Sequence, residues 1–255
     1  MACIFDSHAH YDDARFERIR EELLSSMPQN NVCGIINCGT DVSSSRVSLN
    51  LAKKYDFMYA AVGYHPESID DSTVFDEKAM RELISHQKTV AIGEIGLDYY
   101  WDTTFKEQQL ALFERQLDFA NKNNMPVIIH DREAHGDTLA LLQKYKPKGV
   151  LHCFSGSVEM AAEAVKSGLY IGLGGVITFK NSKKAVEVAE SVPIDRILLE
   201  TDAPYLAPEP NRGRLNRSDY IKFVAEKLAE IKNLTLEEVL DSTVNNTKAL
   251  FNIEF

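Results

Sequence analysis

One pattern of apolar and polar positions recurs eight times along the chain: a short apolar run rich in β-branched residues, a polar or glycine-containing turn, then a stretch with helical spacing. The runs fall at residues 3–6, 34–38, 58–62, 90–94, 127–130, 150–152, 170–173 and 197–200. Short and almost continuously apolar, they suit parallel strands buried on both faces. Between them, residues 15–26 set Phe16, Ile19 and Leu23 on one stripe that Met27 continues. Residues 105–121 do the same with Phe105, Leu112, Gln116 and Phe119, until Asn124-Met125-Pro126 stops the helix. Residues 158–166 end just before Gly168, a helix-terminating glycine. Further helices are predicted at 219–231, 236–242 and 243–251.

Strands alternating with helices admit a closed barrel or an open doubly wound sheet. The placement of polar residues separates the two. His8 and His10 follow the first run, His65 the third, and Glu94 ends the fourth; His130 and His152 end the fifth and sixth, and Asp202 follows the eighth. Chemistry gathered at the C-terminal ends of successive strands is how a (β/α)8 barrel builds its site. An open sheet would hold its first and last strands far apart, whereas closure brings His8 and Asp202 together. The chain therefore reads as one α/β domain over residues 1–255, a (β/α)8 TIM barrel of the metal-dependent hydrolase type.

Composition narrows the classes further. No stretch approaches eighteen uninterrupted apolar residues, so neither a membrane span nor a membrane partner is expected. The N-terminus enters a strand without a basic, leader-like start, which points to a cytoplasmic protein. Cys3, Cys33, Cys38 and Cys153 show no Cys-x-x-Cys spacing and three lie in strand-like runs, so reduced, packed thiols are expected rather than disulfides. A net charge of −10 repels nucleic acid at long range, so any such substrate must meet a local basic patch. Arg132, Lys180, Arg212, Arg214 and Arg217 are available for one.

The candidate chemistry starts at His8-Ala9-His10, where an extended backbone points both imidazoles the same way, ready to grip one ion. His130 closes Val127-Ile128-Ile129 and His152 closes Val150-Leu151. Singly, each would read as a packed core histidine; together with His-x-His they read as metal ligands. Glu94 and Asp202 lie in runs so apolar that an unpaired carboxylate there would be costly. Coordination resolves that cost. Glu94 can bridge two ions, and Asp202 can bind one while also accepting a proton from the attacking water. His65 is a substrate-binding candidate, His86 and His135 read as solvated, and Gly93, Gly96, Gly172, Gly174 and Gly175 read as tight turns at strand ends. None of these glycines forms a phosphate loop of Walker or dinucleotide type, and no nucleophilic triad is apparent.

These residues resemble the TatD family of metal-dependent hydrolases, commonly described as deoxyribonucleases, within the wider amidohydrolase barrels. The likeness rests on Asp6-Ser7-His8-Ala9-His10, Gly63-Tyr64-His65-Pro66, Gly93-Glu94-Ile95-Gly96-Leu97-Asp98-Tyr99, Pro126-Val127-Ile128-Ile129-His130-Asp131-Arg132, His152-Cys153-Phe154-Ser155-Gly156 and Glu200-Thr201-Asp202-Ala203-Pro204-Tyr205. By that resemblance His8, His10, Glu94 and Asp202 hold one divalent ion, and Glu94, His130 and His152 a second. Asp202 and Glu94 are then the catalytic pair, and His65, Arg132 and Ser155 lie near the substrate phosphate. Arg212 and Arg214 fall in a basic segment similar to the family's, from which Leu215, Arg217 and Ser218 depart.

The implied activity is two-metal hydrolysis of DNA, at a single strand or a strand end, with no stable protein partner. The same site would also serve an ester hydrolase, such as a D-aminoacyl-tRNA deacylase or a lactonase. A non-catalytic metal-binding protein would not need the full set of six ligands. Four imidazoles favour zinc, manganese or iron on ligand softness, while activity in the family is often linked to magnesium.

Overall fold

A computed structural model describes residues 3–101 and 103–254. Eight strands form one parallel sheet in sequence order: β1 (Ile4–Ala9), β2 (Val32–Cys38), β3 (Met58–Val62), β4 (Thr89–Asp98), β5 (Val127–Arg132), β6 (Gly149–Leu151), β7 (Tyr170–Leu173) and β8 (Ile197–Leu199). Helices α1 (Arg20–Ser26), α2 (Val42–Lys54), α3 (Glu77–Ile84), α4 (Lys106–Lys122), α5 (His135–Tyr145), α6 (Val158–Lys166) and α7 (Lys183–Ser191) cross over between successive strands. After β8 come α8 (Ile221–Lys232) and α9 (Leu236–Phe251). This is the (β/α)8 architecture that the spacing of apolar runs implies. No helix is long and apolar enough to cross a membrane among the described residues.

The two ends of the sheet meet across a seam that is mostly polar. Ala9 and Ala203 form a parallel bridge, His10 N donates to Ala203 O at 2.7 Å, and Asp202 N donates to His8 O at 3.0 Å. Below them the buried Asp6 carboxylate accepts from Thr201 N (3.0 Å), Thr201 Oγ1 (2.6 Å) and Ser218 Oγ (2.6 Å). A buried carboxylate needs such donors, so Asp6, quoted above only as part of a motif, has its work in closing the barrel.

Strand alternation divides the core in two. Phe5, Ile36, Ala61, Ala91, Ile128, Val150 and Leu198 form an inner cluster, to which Val244, Phe251 and Ile253 at the C-terminal end of the chain add. Their strand neighbours Ile4, Ile35, Ala60, Ile92, Val127, Leu151 and Ile197 belong to the larger cluster shared with the helices. In β1 and β4 this alternation changes parity part-way. Between paired positions, β1 advances from Asp6 to Ala9 while β2 advances only from Ile35 to Asn37. Likewise β4 advances from Ile92 to Ile95 while β5 advances only from Val127 to Ile129. Each strand thus holds one extra residue, and an extra residue exchanges the faces of everything after it. Odd positions Phe5 and Ala91 face the barrel interior before the irregularity; even positions His8 and Glu94 join the central site after it.

Several boundaries differ from those read in the sequence. β1 runs on through Ala9, so His8 lies within the strand, and β4 continues to Asp98 instead of ending at Glu94. The stripe over residues 15–26 breaks into a short 3-10 turn and α1, leaving Ile19 exposed. Residues 236–251 form one continuous helix rather than two. Gly96 and Gly172 sit inside strands, not in turns. Gly96 (φ 149°) lies so close to β5 that a Cβ would fall 1.9 Å from the His130 carbonyl. Cys3 and Cys33, expected reduced, are joined in a disulfide with Cα atoms 5.8 Å apart; Cys38 and Cys153 are free. The cause is topological, since β1 and β2 start side by side.

Candidate metal centre

All six expected ligands converge at the C-terminal mouth of the barrel. His8 Nε2 and His10 Nε2 lie 3.0 Å apart, and each is close to Glu94 Oε2 (3.2 and 3.3 Å) and Asp202 Oδ1 (3.7 and 3.6 Å). The other Glu94 oxygen faces a second group. Its Oε1 stands 2.9 Å from His130 Nδ1, 2.7 Å from His152 Nε2 and 3.3 Å from His65 Nε2. Ligand atoms about 2.1 Å from a tetrahedral ion stand roughly 3.4 Å from one another. The donor separations in both groups bracket that value, so this donor set fits two cations, with Glu94 spanning them. His8, His152 and Asp202 are also close enough to share an ion, and the His8 and His152 rings stack at 3.9 Å, so the two groups share a wall.

The ring nitrogens pointing away from these groups have their own partners. His10 Nδ1 lies 3.0 Å from the Cys38 carbonyl, which can only accept, so Nδ1 carries the hydrogen and Nε2 presents its lone pair. His130 Nε2 is 2.8 Å from Asp98 Oδ2, which leaves Nδ1 as the ligand atom. His8 Nδ1 meets the Cys38 thiol at 3.4 Å. His152 Nδ1 faces Glu200 Oε1 at 3.6 Å, beyond hydrogen-bond reach, so theirs is an ion-pair contact. Glu200 also accepts from Cys153 N, while its Oε2 is buried without a partner. Partners of this kind hold a ligand imidazole in one tautomer and orientation.

Sequence reasoning missed the supporting roles of Cys38, Asp98 and Glu200. Asp98 had a visible signal: Glu94, Gly96 and Asp98 share one face of a single extended run. Glu200 had a weaker one, preceding Asp202 by two at the end of an apolar strand.

Mutual electrostatics follow from crowding these groups out of water. Burial pushes His10 down, but Glu94 and Asp202 outweigh it and carry the imidazole up to about 9. His130 likewise reaches about 9, with Asp98 and Glu94 overcoming burial. His8 falls well below its ordinary value through burial and the neighbouring His152. Burial works against ionising Glu94, yet His152, His65 and His8 hold it well below the carboxylate range. Asp202 is pushed up to about 6 by burial, against the pull of His152 and His10.

The centre forms the floor of an open cavity of about 770 Å³. His65, Arg132 and Ser155 line it, beside the ligands His10, Glu94, His130, His152 and Asp202. Arg212 and Arg214 are not in that lining. They lie exposed on the loop after β8, with the Arg212 guanidinium 4.2 Å above the Phe179 ring. His135 pairs with Asp131 at the start of α5.

The chain matches a family model described as TatD related DNase over residues 5–252. It is 41% identical over 253 residues to an uncharacterized metal-dependent hydrolase, YabD, of Bacillus subtilis (strain 168), covering 98% of this chain and 99% of that one. It is 34% identical over 257 residues to another, YcfH, of Escherichia coli (strain K12), covering 98% and 96%. Among solved structures, the TatD homologue YjjV of Escherichia coli K12 superposes with a TM-score of 0.93 at 33% identity, covering 100% of both chains.

Proposed function

The chain belongs to the TatD family of metal-dependent hydrolases, and from that premise we propose that it hydrolyses phosphodiester bonds in DNA. The observation that carries this reading is the division of Glu94, whose two oxygens address separate histidine groups on the floor of one cavity. When bound there, two divalent ions would supply positive charge for the phosphoryl oxygens and make water a stronger acid. The residues provide the rest. Asp202 Oδ1 borders the first group, and its carboxyl, raised to about 6, is a stronger proton acceptor than an ordinary aspartate. Arg132 and His65, on the wall of the same cavity, can orient a phosphate, and Ser155 can donate to one of its oxygens. The family description, DNase, supports the same bond type.

Metal-reconstituted protein should be assayed side by side on single-stranded DNA, duplex DNA and aminoacyl-tRNA, with zinc, manganese and magnesium in separate arms. Cleavage of DNA that Asp202→Asn abolishes is the expected result. Release of the aminoacyl group with no phosphodiester cleavage would overturn the assignment.

A further inference from the structure

Three aromatic side chains are exposed among the described residues: Tyr100, Trp101 and Tyr205. All three stand at the mouth of the metal cavity. Trp101 and Tyr205 line it, and Tyr100 meets Trp101 edge-on at 4.8 Å. Trp101, the chain's single tryptophan, is 67% exposed. Isolated surface aromatics need no explanation, but their confinement to the rim of one cavity does.

Each platform carries an arginine. The Arg132 guanidinium lies 3.9 Å over the Tyr100 ring and 5.1 Å from that of Trp101, and Arg15 lies 4.0 Å over Tyr205. A guanidinium stacked on a ring keeps its N–H edge free for phosphate oxygens. Tyr100 and Trp101 follow β4, and Tyr205 follows β8. In a barrel whose strands run in order from β1 to β8, these lie on opposite banks. The metal groups lie between them.

We infer that Trp101 with Tyr100, and Tyr205 across the cavity, are stacking subsites for unpaired nucleobases on either side of the bond to be cut. Arg132 and Arg15 hold the adjoining phosphates. This assignment rests on the phosphodiester reading and names how that site takes its substrate. Stacking also answers the charge problem. A chain at −10 gains little from long-range attraction to a polyanion, whereas a base on an aromatic face binds independently of net charge. Bases already stacked and paired in a duplex would not reach these faces.

Because Trp101 is the single tryptophan, its fluorescence reports on one subsite. Metal-reconstituted protein is titrated with a cleavage-resistant phosphorothioate oligothymidylate and with an abasic phosphorothioate strand of equal length. The base-bearing strand is expected to quench the fluorescence and bind at least tenfold tighter than the abasic one. By anisotropy of labelled strands, Trp101→Ala and Tyr205→Ala should each weaken the base-bearing strand by roughly 5- to 100-fold. Binding of the abasic strand and metal content should not change. Equal binding of the two strands, or normal binding by Trp101→Ala, would overturn the subsites. Cleavage of ordinary DNA, measured in parallel, keeps the two claims apart. If DNA is cut while both strands bind alike, stacking fails and the phosphodiester reading stands. If the base-bearing strand quenches and binds selectively but no DNA is cut, the subsites stand and the phosphodiester reading fails.

Discussion

Asp98 Oδ2 lies 2.8 Å from His130 Nε2, on the side of the imidazole away from Glu94. An ionised carboxylate only accepts, so it fixes the proton on Nε2 and frees Nδ1 for the centre. An amide can donate as well as accept and so lifts that constraint. Asp98→Asn should therefore weaken the second ion by roughly 10- to 100-fold while leaving the His8–His10 group nearly intact. Competition with a chelator, read as ions retained per chain, checks this. Equal loss of both ions would mean that Asp98 supports the fold rather than His130.

Asp202 and Glu94 should fail differently. Asp202→Asn keeps a side chain of the same shape but loses the proton acceptor, so turnover should drop by roughly 10²- to 10⁴-fold with the second ion retained. Glu94→Ala removes an oxygen from each group and should strip both ions together. Elemental analysis alongside single-turnover rates separates the two cases, and near-normal turnover by Asp202→Asn under saturating metal would remove it as the base.

Proton competition gives a pH dependence of definite sign. His10 and His130 rise from an ordinary 6.5 to about 9. In chelator-stripped protein, imidazoles with raised folded-state pKa contribute stability fully below pH 6.5, and that contribution is lost as pH climbs through 9. The stripped protein's Tm should fall across this window. Cations compete for the same lone pairs, so loading near pH 7 should release protons and tighten as pH rises. Calorimetry in two buffers of different ionisation enthalpy counts those protons; a count of zero with a flat Tm would contradict the raised values.

Gly172→Ala should reach the centre through packing. A Cβ there would fall 2.5 Å from Glu200 Oε2 and 3.0 Å from His152 Cα. Neither neighbour has room to yield, because the Glu200 and His152 side chains are buried against each other. The substitution should destabilise the protein by about 1–3 kcal/mol and lower occupancy of the second ion. Denaturant melts with and without added metal measure both effects, and a silent substitution would show that Glu200 can move freely.

Much of this arrangement is legible in the sequence, and what is not has physical causes. Strands buried on both faces announce themselves as apolar runs, so all eight are recognisable, as are the ligands at their ends. The direction in which His8 and Glu94 point is not. Simple alternation from Phe5 and Ala91 turns both away from the interior, and only the extra residue in β1 and in β4 reverses that. Contacts between neighbouring strands leave no local trace either, and Cys3–Cys33 and Asp98–His130 are of that kind. Trp101 and Tyr205 look like ordinary core aromatics until the fold leaves them at the rim.

The seam between the first and last strands has a consequence for the cohesion of the whole chain. Asp6 and Thr201, hydrogen-bonded across it, are 195 residues apart in sequence. The first ligand group straddles the same seam, drawing His8 and His10 from one side and Asp202 from the other. A cation bound there acts as a latch on the topology, closing a loop that contains nearly the entire chain. The entropy of closing so long a loop must be met before any contact across it is gained. Chelation should then loosen the barrel at the β1–β8 join first, and amide exchange should quicken there while β5 and β6 remain protected.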